Sequence, residues 1–167
     1  MQQSRLQNAA YIRNFVFGVE DSLVSTVGLL SGIAVGGVER SQIILTGIIL
    51  LFVEAFSMAM GSLLSEQSAQ EYLSRKEVSM GASATDSIIM FASYLLAGLV
   101  TLAPYFAMDA KQALPISISL SLSALFLLGV VSAKLFGINI LKSGIRTFAM
   151  GGIAILVGVL VSFFVAT

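Results

Sequence analysis

Two carboxylates lie inside long apolar stretches of this sequence. Asp21 stands beside Glu20 at the head of one apolar run, and Glu54 lies within the next. Ser57 and Met58 follow Glu54 by three and four residues, which places all three on one face of a helix. An ionised acid near the centre of a bilayer costs about 2.5 to 3.5 kcal/mol on insertion scales, so such residues normally face a bundle interior and mark a pathway. The chemistry that these residues predict is cation binding.

The depths of these groups indicate that they can meet. At about 1.5 Å of rise per residue, Asp21 and Met58 lie roughly 10 Å from one end of their spans, and Glu54 lies about 15 Å from it. The sequence contains no Cys and no His, which excludes disulfides, thiolate sites and imidazole ligands. Carboxylates with a thioether can hold Fe²⁺ or Mn²⁺, because the soft sulfur favours these ions over Mg²⁺ or Ca²⁺.

Each of these residues also has a plain structural interpretation. Glu20 and Asp21 can sit solvated at the interfacial rim or cap the helix, and Glu54 can be protonated and hydrogen-bonded between helices. Methionine commonly fills gaps in apolar cores, which is the default role for Met58.

The elements that position these groups are membrane-spanning helices. The chain has 167 residues, of which 57% are hydrophobic and 11% charged, whereas soluble domains carry about 25% charged residues. Five apolar runs each approach the ~20 residues that cross a bilayer as a helix; they lie near 14–37, 43–64, 88–107, 116–136 and 148–166. We therefore predict an all-α integral membrane protein with one transmembrane domain, 1–167. The zero net charge gives no reason to expect a nucleic-acid partner.

Charge also predicts the orientation in the membrane. Most of the nine basic residues fall in segments on the N-terminal side of the bundle, and only Arg40 and Lys111 fall on the other side. By the positive-inside rule the N-terminus is cytoplasmic. The short loops favour a prokaryotic plasma membrane, or a vacuolar-type membrane in a eukaryote. Pro104 and Pro115 are expected at the end of the third helix and the start of the fourth.

Small residues on the first span predict close helix packing. Gly28, Gly32 and Gly36 recur every four residues and form a small-xxx-small series. Asp21 and Ser25 share this stripe. We expect a homodimer in which this face approaches a neighbouring helix, within or between protomers.

Several other polar residues are weaker candidates. Glu66, Glu71 and Glu77 lie in the longest polar connection, where with Glu20 they can collect cations at an entrance or simply form a solvated face. Asp86 precedes the third span, where it is expected to cap the helix. Tyr94 within that span is typical of interhelical packing.

Two stretches resemble a known family. "EDSLVSTVGLLSGIA" resembles the "NDGLVSTxxLxxGxA" signature of the vacuolar iron transporter family, and "SMAMGSLLSEQSAQEY" resembles its "SMAxGEYxSxxSQ" signature. The motifs occur in the family's order, in the first two of five spans. By position, the family's first-span aspartate is Asp21, and its Ser-Met pair is Ser57 and Met58. The sequence departs from the family at Ser62, where an acid is usual, and it lacks the Glu-rich cytoplasmic helices between the second and third spans.

The resemblance implies a dimeric exporter that moves Fe²⁺, and often Mn²⁺, out of the cytoplasm in exchange for protons. No permanently bound cofactor is expected, since the metal ion is the transported substrate. The partners are then divalent metal ions, protons, the lipid bilayer and a second copy of the chain. The alternatives are a proton-coupled exporter of organic cations and a non-transporting membrane scaffold. An enzyme is not expected, because the sequence shows no nucleophile–base pair.

Overall fold

Five long helices make up nearly all of the described chain. The computed structural model describes residues 2–79, 81 and 84–165, with side chains from residue 8 onward. In that part of the chain the helices are α1 (Gln2–Val35), α2 (Arg40–Ser74), α3 (Ala84–Ala107), α4 (Ala110–Phe136) and α5 (Ile140–Val165). All five are long and apolar enough to cross a membrane. The predicted all-α, five-span membrane fold is confirmed.

The helices are longer than the apolar runs that predicted them. α2 continues ten residues past the predicted end of its span, from 64 to Ser74, and α4 begins at Ala110 rather than 116. Polar residues such as Gln, Glu and Lys are good helix formers, so a helix continues where its hydrophobic run ends. Pro104 and Pro115 consequently lie inside α3 and α4 and not at their ends, which corrects the prediction.

Tight turns join the helices in an up-and-down order. α1 ends at Val35 and is followed by Gly37, whose φ of 78° belongs to the left-handed region that glycine adopts without steric cost. The Val38 amide then donates to the carbonyl of Ile33 at 3.2 Å and closes the turn. The Arg40 guanidinium donates to the carbonyls of Tyr105 at 2.7 Å and Phe106 at 2.6 Å. This arginine ties the α1–α2 turn to the end of α3.

The two ends of the bundle differ in charge, and we call them the proximal end and the distal end. The proximal end holds Arg13, the α2–α3 connection and the α4–α5 turn, whereas the distal end holds Arg40 and the α3–α4 turn. α1 lies at the centre of the bundle and packs most extensively on α3 and α5. The core includes Leu30, Leu51 and Leu102, which are almost completely buried.

Hydroxyl groups connect α3, α4 and α5 inside the apolar bundle. The hydroxyls of Thr101 and Ser121 are 2.8 Å apart, and Ser117 donates to the Thr101 carbonyl at 2.7 Å. Thr147 of α5 donates to the carbonyl of Leu125 at 2.7 Å. Such bonds hold helices together in lipid, where burial of apolar surface gives no driving force for their association.

Candidate functional site

The two predicted carboxylates lie close enough to interact across α1 and α2. Asp21 and Glu54 are both half-buried, and each lies within electrostatic range of the other. Tyr94 of α3 is fully buried, and its hydroxyl lies within range of both carboxylates. Three helices therefore bring one phenol and two carboxyl groups to the same level of the bundle. Two acids near one another in an apolar setting favour a shared cation or proton.

Hydrogen bonds fix Tyr94 beside Asp21. The hydroxyls of Tyr94 and Ser25 are 2.8 Å apart, and Ser22 donates to the backbone carbonyl of Tyr94 at 2.6 Å. Ser25 follows Asp21 by one helical turn, so the carboxylate and the hydroxyl share the face of α1 that meets the tyrosine. From the sequence, Tyr94 is expected to pack between helices. A lone aromatic residue in an apolar span gives no signal that distinguishes packing from a place in a polar site.

Met58 and Ser57 lie on the wall of a cleft between α1 and α2, called here the α1–α2 cleft. Its volume is about 1090 Å³, and its lining includes Asn14, Glu20, Ser57, Met58, Ser62 and Met90. Met58 also packs against the core cluster that contains Tyr94. Ser57 is exposed. The cleft lies toward the proximal end and places Glu20 and Met58 next to the level of Asp21.

The three glutamates of the polar connection do not gather into one cluster. Glu66 pairs with Arg13 at 3.4 Å, which links α2 to α1 at the cleft. Glu71 accepts from the Gln67 side chain at 3.1 Å and from the Val78 amide at 3.3 Å, so it orders the chain beyond α2. Glu77 is exposed. Among the residues that the structure describes, no three Asp or Glu side chains converge as a metal site.

Glu71 and Arg75 lie four residues apart, which is the spacing of a helical ion pair, but their side chains do not pair. Arg75 follows the end of α2 with φ of 55°, and its guanidinium stacks over the ring of Tyr72 at 5.1 Å. The left-handed turn carries the arginine away from the helical register that an i,i+4 pair requires.

The glycines of the first span pack within the protomer, against α5. A Cβ on Gly28 would lie 3.0 Å from the carbonyl oxygen of Ala154, and one on Gly32 would lie 2.6 Å from that of Gly158. Gly36 faces the Ser162 hydroxyl in the same way. We call Gly28, Gly32 and Gly158 the glycine seam. Close approach of α1 and α5 depends on the absence of side chains there.

Asp86 is not an N-terminal cap. It lies in the first turn of α3, which begins at Ala84, and only 7% of its surface is exposed. Among the described residues, its Oδ1 atom has no hydrogen-bond partner.

Comparison with known proteins assigns the family. A search of curated proteins found no match. The sequence profile of the VIT family matches residues 12–84 and 73–162, which together cover most of the chain. The two matched segments overlap over residues 73–84, at the end of α2 and in the connection to α3. Members of this family are transporters and not enzymes. The chain therefore belongs to the VIT family, the vacuolar iron transporters that its two motifs resemble, and is a membrane transporter of metal ions.

Proposed function

We propose that this protein exports Fe²⁺ or Mn²⁺ from the cytoplasm in exchange for protons. The observation that carries the proposal is the approach of Asp21 and Glu54 inside an apolar bundle of the VIT family. Isolated charges are expensive at this depth, whereas a pair of carboxylates that binds a divalent cation compensates its own charge. Met58 supplies a thioether near the same level, and Ser57 faces the cleft that leads there.

Exchange follows from the chemistry of the ligands. Carboxylates bind metal only when they are deprotonated, so protons and metal ions compete for Asp21 and Glu54. If the site opens to one side of the membrane at a time, metal that leaves on one side is replaced by protons that return to the other. We place the proximal end in the cytoplasm, because it carries most of the basic residues. Metal then enters at the proximal end and leaves at the distal end.

The test is simultaneous metal and proton flux in proteoliposomes that contain the full chain. Wild-type protein should move Fe²⁺ or Mn²⁺ down an imposed metal gradient. The lumen should become more alkaline when metal enters it and more acidic when metal leaves it. Asp21→Asn and Glu54→Gln keep the shape of each side chain and remove its charge. Each of the two substitutions should lower metal-driven proton movement by at least about tenfold. Loss of a residue that only hydrogen-bonds to a metal ligand already has an effect of this size.

Asp109→Asn is the matched control, since Asp109 is exposed at the distal end and makes no capping hydrogen bond through its side chain. This variant should transport as wild type does. Unchanged coupling in both Asp21→Asn and Glu54→Gln would show that the exchange does not depend on these two carboxylates. A wild-type chain that moves neither metal nor protons would favour a scaffold. Proton-coupled flux of an organic cation without stabilisation by metal would instead favour an exporter of organic cations.

We also propose that the transporter works as a homodimer in a prokaryotic plasma membrane. Many apolar side chains of α2 and α5 are exposed on the single chain, among them Phe52, Phe56 and Leu156. These surfaces suit contact with lipid or with a second copy.

A further inference from the structure

Two buried polar atoms without partners, one on α1 and one on α3, lie closer to the proximal end than Asp21 does. Asn14 is 3% exposed and Asp86 is 7% exposed. Within the described chain, neither Asn14 Nδ2 nor Asp86 Oδ1 has a hydrogen-bond partner. A buried polar atom left unpaired costs about 1 to 3 kcal/mol. Both side chains therefore have a polar atom that is free to contact a ligand.

The register of α1 against α3 places these two residues at the same level. A Cβ on Gly18 would lie 3.1 Å from the carbonyl oxygen of Met90, and Ser22 bonds the carbonyl of Tyr94. The two helices therefore run parallel. Asn14 lies one turn before Gly18 and Asp86 lies one turn before Met90, so the two residues are at the same level. Asp86 also shares the helical stripe of Met90, which faces α1. The paired burial of both side chains agrees with this register.

The α1–α2 cleft reaches this level from the outside. Asn14 and Met90 both line the cleft, and Ser62 donates to Asn14 Oδ1 at 3.1 Å. The Ser62 hydroxyl can donate or accept, so a half-turn of the Asn14 amide keeps that bond and directs an oxygen, in place of the nitrogen, toward the unpaired position. The neighbouring Arg13 forms an ion pair with Glu66, which offsets its positive charge. A cation beside Asn14 then meets the amide oxygen of α1, and the register of α3 sets the Asp86 carboxyl group at the same level.

We infer that Asn14 and Asp86 form a loading site for a divalent cation, occupied before the ion reaches Asp21 and Glu54. This inference rests on the proposed function and adds a second, separable position to the pathway. One carboxylate, one amide oxygen and retained water suit Mn²⁺ or Fe²⁺, which accept oxygen ligands. The small number of charged ligands makes binding weak. Weak binding serves transport, because an ion must leave each site as readily as it arrives.

The test measures Mn²⁺ bound to the purified full chain in detergent, by the loss of the electron paramagnetic resonance signal of free Mn²⁺. Wild-type protein should show two binding positions per chain, one lost in Asp21→Asn and the other lost in Asp86→Asn. In proteoliposomes, Asp86→Asn should raise the half-saturating Mn²⁺ concentration about tenfold, which equals about 1.4 kcal/mol, and should leave the maximal rate nearly unchanged. Asp109→Asn should bind and transport as wild type does.

Asn14→Asp gives a second measurement that does not depend on the folding of Asp86→Asn. It retains the size of the side chain and adds a carboxylate, so Mn²⁺ should bind the Asp86-dependent position about tenfold more tightly. Unchanged Mn²⁺ binding in Asp86→Asn, or in Asn14→Asp, would overturn the loading site while Asp21-dependent transport stands. A wild-type chain that neither binds nor moves Mn²⁺ or Fe²⁺ would overturn both the loading site and the proposed function.

Discussion

At the scale of single residues, Tyr94 is the group that joins the packing of the bundle to its polar site. Its ring lies in the core cluster, and its hydroxyl bonds Ser25 beside Asp21. A buried hydroxyl with one good partner contributes about 1 kcal/mol to stability. The same hydroxyl contacts Ser25, which follows Asp21 by one turn on the same face of α1. The packing of the core and the proposed cation site therefore share Tyr94.

Tyr94→Phe separates these two contributions because it keeps the ring and removes the hydroxyl. We expect a folded protein that is less stable by about 1 kcal/mol and that gains less stability from added Mn²⁺ than wild type does. Thermal unfolding in detergent, with and without Mn²⁺, measures both effects. Tyr72→Phe is the control, since Tyr72 is 70% exposed. If Tyr94→Phe gains as much from Mn²⁺ as wild type does, the hydroxyl has no part in the site.

The sequence shows some of these residues more clearly than others. Asp21 and Glu54 are visible because acids are rare in apolar runs, and counting helical rise placed them near one level. Tyr94 and Asn14 were not recognised as part of a site. An aromatic residue is ordinary in a span, and Asn14 stands where a polar leader meets the first apolar run. Only the register of α1 against α3 shows that Asn14 is buried, and that register depends on contacts distant in sequence.

At the scale of helices, the glycine seam holds α5 against α1. A Cβ on Gly158 would collide with the backbone of Gly28, whereas a Cβ on Gly152 of the same helix would meet open space. Backbone atoms cannot move aside as a flexible side chain can. The spacing of the small residues predicted a close approach, but it could not identify the partner helix, since any helix with a similar stripe would fit.

Gly158→Ala and Gly152→Ala form a matched pair on α5. Gly158→Ala should destabilise the protein by about 1 to 3 kcal/mol, the usual cost of overpacking. Gly152→Ala should be neutral or slightly stabilising, because alanine favours a helix over glycine. Thermal unfolding and the yield of monodisperse protein compare the two. Equal behaviour of both variants would show that α1 and α5 do not approach as closely as the structure indicates.

At the scale of the whole molecule, the distribution of charge predicts the orientation in the membrane. The proximal end carries Arg13, Arg75 and Lys142, among other basic residues, and the distal end carries only Arg40 and Lys111. The apolar runs predicted the number of helices, since only a span of this length satisfies its own backbone in lipid. They did not predict the helical extensions beyond the apolar runs, because those extensions are polar.

Single cysteines test the orientation directly, because the natural chain contains none. Ser68 is exposed near the proximal end and Gln112 near the distal end. In intact cells, a membrane-impermeant maleimide should label Gln112→Cys, and it should label Ser68→Cys only after the membrane is opened. The opposite pattern would reverse the proposed direction of transport.

The contact between α1 and α5 also has a consequence for biosynthesis. Ribosomes make α1 first and α5 last, yet these two helices share the glycine seam. While α2, α3 and α4 are being inserted, the bare backbone of Gly28 and Gly32 has no permanent partner. α1 can pack against α3 as soon as α3 is inserted, but a nascent chain that stops after α4 leaves the glycines of α1 open to lipid. The face of α1 that carries Gly28 and Gly32 is therefore covered only after α5 has been made.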